Sequence, residues 1–209
     1  MFTSSDGLTL EGRLAVPDQG PSHGGAILCH PHPQYGGSMS TRLIPALQRA
    51  LVTAGWAALR FNFRGVGRSE GTYGGGIDEV NDALAALDRL RASVGPPHAV
   101  VGFSFGALVA LNTVARDRRV DTYAGIAPPG QATFAGAFDL PPIAHLDGWD
   151  ARTLLVCGTD DPYCRPEDLR RLGGLFPAAE VRVVDGADHL FTTRADEVCS
   201  LVVSFVTGG

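Results

Sequence analysis

Three kinds of side chain in this sequence could do chemistry together. Ser104 sits inside Gly102-Phe103-Ser104-Phe105-Gly106, Asp160 and Asp161 form a carboxylate pair, and His189 ends the run Gly186-Ala187-Asp188-His189. A serine hydroxyl is a weak nucleophile at neutral pH. It becomes effective when an imidazole takes its proton and a carboxylate orients that imidazole. Each group alone also has a plainer use. Ser104 can cap a helix, the aspartates suit a turn between Gly158 and Pro162, and His189 can be an ordinary loop histidine. The order Ser, Asp, His along the chain is what points to acyl transfer.

That chemistry needs a scaffold that brings distant positions to one place. Apolar residues at Leu8, Leu10, Leu14 and Val16 alternate with small or polar ones, which predicts an early half-buried strand. Further strands are expected at Ala26 to His30, Trp56 to Phe63, His98 to Phe103, Thr122 to Ala127, Thr153 to Cys157 and Val181 to Val184. Helical spacing runs over Leu43 to Leu51, Ile77 to Leu90, Ala107 to Val114, Glu167 to Leu175 and Val198 to Val206. In the second of these, Asp78, Glu79, Asp82 and Asp88 are expected on the wet side. Strands alternating with helices predict an α/β fold in a single domain over residues 1–209, with a mainly parallel sheet covered by helices on both faces. Ser104 then falls between a strand and a helix, and the aspartate pair and His189 each follow another strand. Ligand sites of such sheets lie at that carboxyl edge. Helix N-terminal amides after Ser104 are placed to bind a developing oxyanion. Pro128 to Asp150 has no clear element and is expected to be a loop over the site.

Composition narrows the possibilities further. With 209 residues, 44% hydrophobic and 19% charged, the chain can bury one substantial core. Seventeen basic and twenty-two acidic residues give a net charge of −5 without a basic block, which argues against nucleic acid. No apolar run approaches the length of a membrane span, and Met1 to Leu10 does not resemble a secretory signal, so a cytoplasmic location is expected. Cys29, Cys157, Cys164 and Cys199 are scattered, two of them in apolar strands, and a disulfide framework is not expected. His30 and His32 could suggest a metal pair, but no further ligand lies near them in sequence. A buried His30 tying down its loop is the preferred reading, with no metal and no cofactor. The glycines of Arg64-Gly65-Val66-Gly67-Arg68-Ser69 match neither common nucleotide-binding pattern and suit a tight turn.

With these motifs in place, the sequence resembles the α/β-hydrolase superfamily over nearly its whole length. Gly102 to Gly106 looks like the nucleophile elbow, Leu154 to Pro162 like the acid strand and turn, and Gly186 to Phe191 like the histidine loop. More narrowly, the stretches from His30 and from Phe61 resemble a small bacterial serine-hydrolase family without a cap domain, related to the dienelactone-hydrolase branch. That branch often carries cysteine where this chain has Ser104. The resemblance implies Asp161 as the acid, three residues after Gly158, with Asp160 as the alternate and Asp188 as a third choice. It also implies oxyanion donors at the backbone amides of His32 and Phe105, since Pro31 and Pro33 have no N–H.

The expected activity is hydrolysis of small carboxylic esters or thioesters through an acyl-enzyme, with Ser104, Asp161 and His189 as the catalytic residues. Alternatives are a peptidase or acyltransferase using the same residues, or a binding protein of the same fold. Tyr35, Phe134, Phe138, Trp149 and Phe191 are candidates to line an acyl pocket, and Val198 to Val206 is a candidate pairing surface.

Overall fold

The computed structural model describes residues 1–20, 22–130 and 146–208. The early alternating segment divides into two. Thr9–Leu10 (β2) pairs antiparallel with Phe2–Thr3 (β1), whereas Gly12–Ala15 (β3) joins the main sheet. The main sheet continues with Gly25–Cys29 (β4), Ala57–Phe61 (β5), His98–Phe103 (β6), Thr122–Ile126 (β7), Arg152–Gly158 (β8) and Ala179–Val184 (β9). Its order is β3-β5-β4-β6-β7-β8-β9, with β3 antiparallel to β5 and every other pairing parallel. From β4 the chain adds β5 on one side, then returns past β4 to lay down β6 on the other. This reversal opens a crevice between the carboxyl ends of β4 and β6, where open α/β sheets bind ligands.

The central strands β4, β6 and β7 are buried throughout, because helices cover both faces of the sheet. Leu43–Thr53 (α1) packs against Ala195–Thr207 (α5), and Glu79–Arg91 (α2) packs against Phe105–Arg116 (α3). Pro166–Gly173 (α4) lies on β8 and β9. Val198, Val202 and Val206 of α5 are core residues, whereas Leu201, Val203 and Phe205 on the same helix are half-buried. Cys29, Cys157, Cys164 and Cys199 are all free and buried. Among the described residues, no helix is long and apolar enough to cross a membrane.

Helix α2 departs from the expected wet and dry faces. Glu79 and Asp82 are fully buried. The reason lies in the loop after β5, which brings the Arg64 guanidinium against Asp82. Arg64 Nη2 donates to Asp82 Oδ1 at 2.7 Å and the Arg64 backbone N–H donates to Oδ2 at 2.8 Å. Asp6 adds a second carboxylate to Arg64 at 2.9 Å. Glu79 meanwhile accepts the backbone N–H groups of Gly74 and Gly76, at 2.8 and 2.7 Å. Burial raises both carboxyl pKa values, and the hydrogen bonds to each pull in the opposite direction. The two acids therefore hold residues 64–76 onto the helix.

Removing one partner of a buried pair leaves the other charge uncompensated. Asp82→Ala should lower stability by about 3–5 kcal/mol in urea unfolding. Arg64→Met combined with Asp82→Leu should recover most of that loss. A single variant as stable as the parent would show that Arg64 is satisfied without Asp82.

Candidate active site

The turn between β6 and α3 is built by close backbone approach. A Cβ on Gly102 would fall onto the Gly106 carbonyl, and one on Gly106 would fall onto the carbonyls of Cys29 and His30. Glycine at both positions lets α3 start directly above the sheet edge. Ser104 is left with φ 56° and ψ −124°, a conformation that L side chains rarely adopt. Ala127 after β7 and Phe191 after β9 also have positive φ. Among the described residues, the three non-glycine residues of this kind lie past the carboxyl ends of strands at the same edge. Phe105, the first residue of α3, has an N–H with no acceptor inside its own helix.

His189 reaches this turn from the loop after β9. Its Nε2 lies 2.9 Å from Ser104 Oγ, and its Nδ1 lies 2.8 Å from Asp161 Oδ2. A carboxylate can only accept, so the partners assign the proton to Nδ1 and leave Nε2 to accept from the serine hydroxyl. Asp161 is buried, and its other oxygen accepts the backbone N–H groups of Tyr163 at 2.8 Å and Cys164 at 3.0 Å. The alternates are engaged elsewhere. Asp160 is exposed and accepts from the Thr159 hydroxyl at 3.1 Å. Asp188 accepts the Thr192 N–H at 2.8 Å, which lowers its carboxyl pKa.

The loop after β4 forms the other wall. His30 is fully buried between two backbone groups: Phe63 N–H donates to its Nε2 at 3.1 Å, and its Nδ1–H donates to the Pro31 carbonyl at 2.6 Å. Both ring nitrogens are thus occupied, which leaves His30 no lone pair for a metal. The bond to Pro31 fixes the peptide plane that carries the His32 N–H. The His32 ring is itself held. Its Nδ1 accepts the Gln34 N–H at 3.2 Å, and its Nε2 lies 3.1 Å from the Tyr73 hydroxyl. Tyr73 belongs to the segment anchored by Glu79, so a buried acid on α2 supports this wall through two intermediaries.

A cleft of about 420 Å³ opens over these groups, and Ser104, His189, His32 and Phe105 all line it. Of the residues expected to shape an acyl pocket, Tyr35 lines this cleft. Trp149 does not; it packs with Tyr123 and Phe176 in the core. Phe191 is buried against Phe103. Phe134 and Phe138, like most of the expected loop Pro128 to Asp150, lie outside the described residues. Tyr163 and Leu190 line the cleft and had escaped sequence reading. Their adjacency to Asp161 and His189 was the available signal.

Residues 26–149 match the family model for the alpha/beta hydrolase fold. The chain belongs to this family and is a hydrolase by that membership. It is 31% identical to an alpha-beta serine hydrolase homologue from Coxiella burnetii, whose structure superposes with a TM-score of 0.78 over 93% of this chain and 90% of that one. An alpha/beta serine hydrolase without lid from Xanthomonas campestris is 26% identical, with a TM-score of 0.81 over 98% of this chain and 91% of that one. An uncharacterized protein of Rickettsia prowazekii (strain Madrid E) is 30% identical over 94% of this chain and 84% of its own length.

Burial pushes the His30 imidazole pKa down to about 4, with the Pro31 bond opposing the shift. An unfolded chain takes up this proton below the ordinary histidine range while the folded chain does not, so the contribution to stability is present above pH 6.5 and is lost as pH falls toward 4. Replacing His30 by Gln removes this titration. In urea unfolding followed from pH 7 to pH 4, the parent should lose up to about 3 kcal/mol more than His30→Gln. Parallel pH profiles would show that His30 accepts a proton in the folded state.

Proposed function

We propose that this chain is a serine hydrolase that cleaves small carboxylic esters or thioesters through an acyl-enzyme. The observation that carries the reading is the unbroken hydrogen-bond path from Ser104 Oγ through the His189 ring to Asp161, opening on a cleft. Ser104 Oγ attacks the carbonyl carbon while His189 Nε2 takes its proton. Asp161 keeps the ring in the required tautomer and stabilises the imidazolium. The backbone amides of His32 and Phe105 stabilise the tetrahedral oxyanion, and their fixed positions avoid reorganisation during the reaction. His189 then protonates the departing alcohol or thiol. Water then gives a proton to the same nitrogen while its oxygen attacks the acyl carbon. The bond from that carbon to Ser104 Oγ breaks, His189 returns the proton to Oγ, and the carboxylic acid leaves.

Several features support these assignments. Ser104 holds a strained backbone conformation at the turn from strand to helix, and such conformations gather at functional sites. Asp161 combines burial with two backbone N–H donors, which hold its carboxyl group in place beside His189. His30 and Tyr73 act as positioning residues for the His32 amide.

Ser104→Ala should abolish both turnover of p-nitrophenyl acetate and labelling by a fluorophosphonate probe. Labelling that survives would assign the nucleophile elsewhere. Asp161→Asn should reduce kcat roughly ten-thousandfold, whereas Asp160→Asn should leave it within about twofold of the parent. The reverse ranking would place the acid at Asp160.

A further inference from the structure

The walls of the cleft carry information about what fits between them. Among the described residues, the lining of the cleft includes no lysine, arginine, aspartate or glutamate. The neighbouring arginines lie outside that lining: exposed Arg165, two residues after Tyr163, and exposed Arg42 are not among the residues that line the cleft. Arg42, beside the lining residue Thr41, donates to the Thr192 carbonyl at 2.8 Å. Arg64 is buried against Asp82 and Asp6. On the negative side, Asp160 and Asp188 are exposed on the loops that deliver Asp161 and His189.

The apolar side chains at the same place are unusually open. Tyr35, Tyr163 and Leu190 are 66%, 40% and 59% exposed, and all three line the cleft. Tyr35 packs edge-on against His32 and Tyr163 edge-on against His189, with ring centroids 4.9 and 4.8 Å apart. One exposed ring thus stands beside each of the two histidines. Pro31 and Pro129 extend the apolar wall. Large apolar side chains left in water around a concave site mark a surface that gains by being covered.

Resting on the hydrolase reading above, we infer that the cleft selects esters whose acyl group is uncharged and apolar, and discriminates against acyl groups that end in a carboxylate. An apolar acyl chain covers Tyr35, Tyr163 and Leu190 and releases the water on them. A carboxylate in the same position loses hydration and meets no lysine or arginine among the described lining residues. The penalty acts on the bound and transition states alike, so it is expressed in kcat/KM.

The test compares two esters of equal chain length, p-nitrophenyl pentanoate and mono-p-nitrophenyl glutarate, which differ by a terminal methyl against a terminal carboxylate. The parent should favour the pentanoate by roughly tenfold to a hundredfold in kcat/KM. Leu190→Arg places a cation on an exposed position of the wall and should shrink that ratio at least about threefold, with the ratio returning toward the parent value in high salt. Equal kcat/KM for the two esters in the parent, with Ser104 still labelled by a fluorophosphonate, overturns the selectivity and leaves the hydrolase reading intact. Turnover of neither ester together with absent labelling overturns both.

Discussion

The tight passage from β6 into α3 governs everything around it. The backbones of Gly102, Gly106 and the end of β4 approach so closely that no side chain fits between them. This contact locks the first turn of α3 over the reversal point of the sheet. It lifts Ser104 out of the plane of the strands and places the Phe105 amide beside it. It also ties the helix to β4, whose next residues form the opposite wall. Hydroxyl, helix amide and His32 loop are thereby fixed by one steric constraint, before any side-chain hydrogen bond forms.

Around that constraint, polar groups buried in the fold do work that the core cannot. Apolar packing sets the spacing of sheet and helices, but it has little power to specify the orientation of a peptide plane. Here the orientation comes from His30, which bridges the Phe63 N–H and the Pro31 carbonyl. It comes also from Glu79, which holds two of the glycines that follow Tyr73, and from Asp82, which holds Arg64. Each of these groups is shielded from water and satisfied by partners, so each reduces the freedom of a loop at the site edge.

Much of this was legible in the sequence because period and motif report on elements and their order. The alternation of apolar strands with helical stripes gave the α/β class, and the glycines around Ser104 marked the turn. Asp161 and Asp160 were harder to separate, since adjacent residues share a turn and differ only in where each side chain points. Glu79 and Asp82 were misread for a related reason. A charged residue on a helix defaults to water, and the partners that bury these two, Arg64 and the amides of Gly74 and Gly76, come from a loop that periodicity does not place. The split of the first strand was hidden because Leu10 and Leu14 keep the same alternation across the break at Glu11. Tyr163 and Leu190 were invisible as wall residues because nothing in a one-dimensional pattern reports which neighbours of a functional group face a cavity.

The loops bearing Asp161 and His189 are joined more firmly than their 28-residue separation suggests. Asp160 N–H donates to the Ala187 carbonyl at 3.0 Å, Gly186 N–H donates to the Thr159 hydroxyl at 2.8 Å, and Gly158 has room for no side chain because the Ala187 carbonyl lies against it. The two segments behave as one hinge-free bracket. A chimera that imported either loop from a relative would separate halves shaped to each other, so such grafts succeed only when both are transplanted as a matched set.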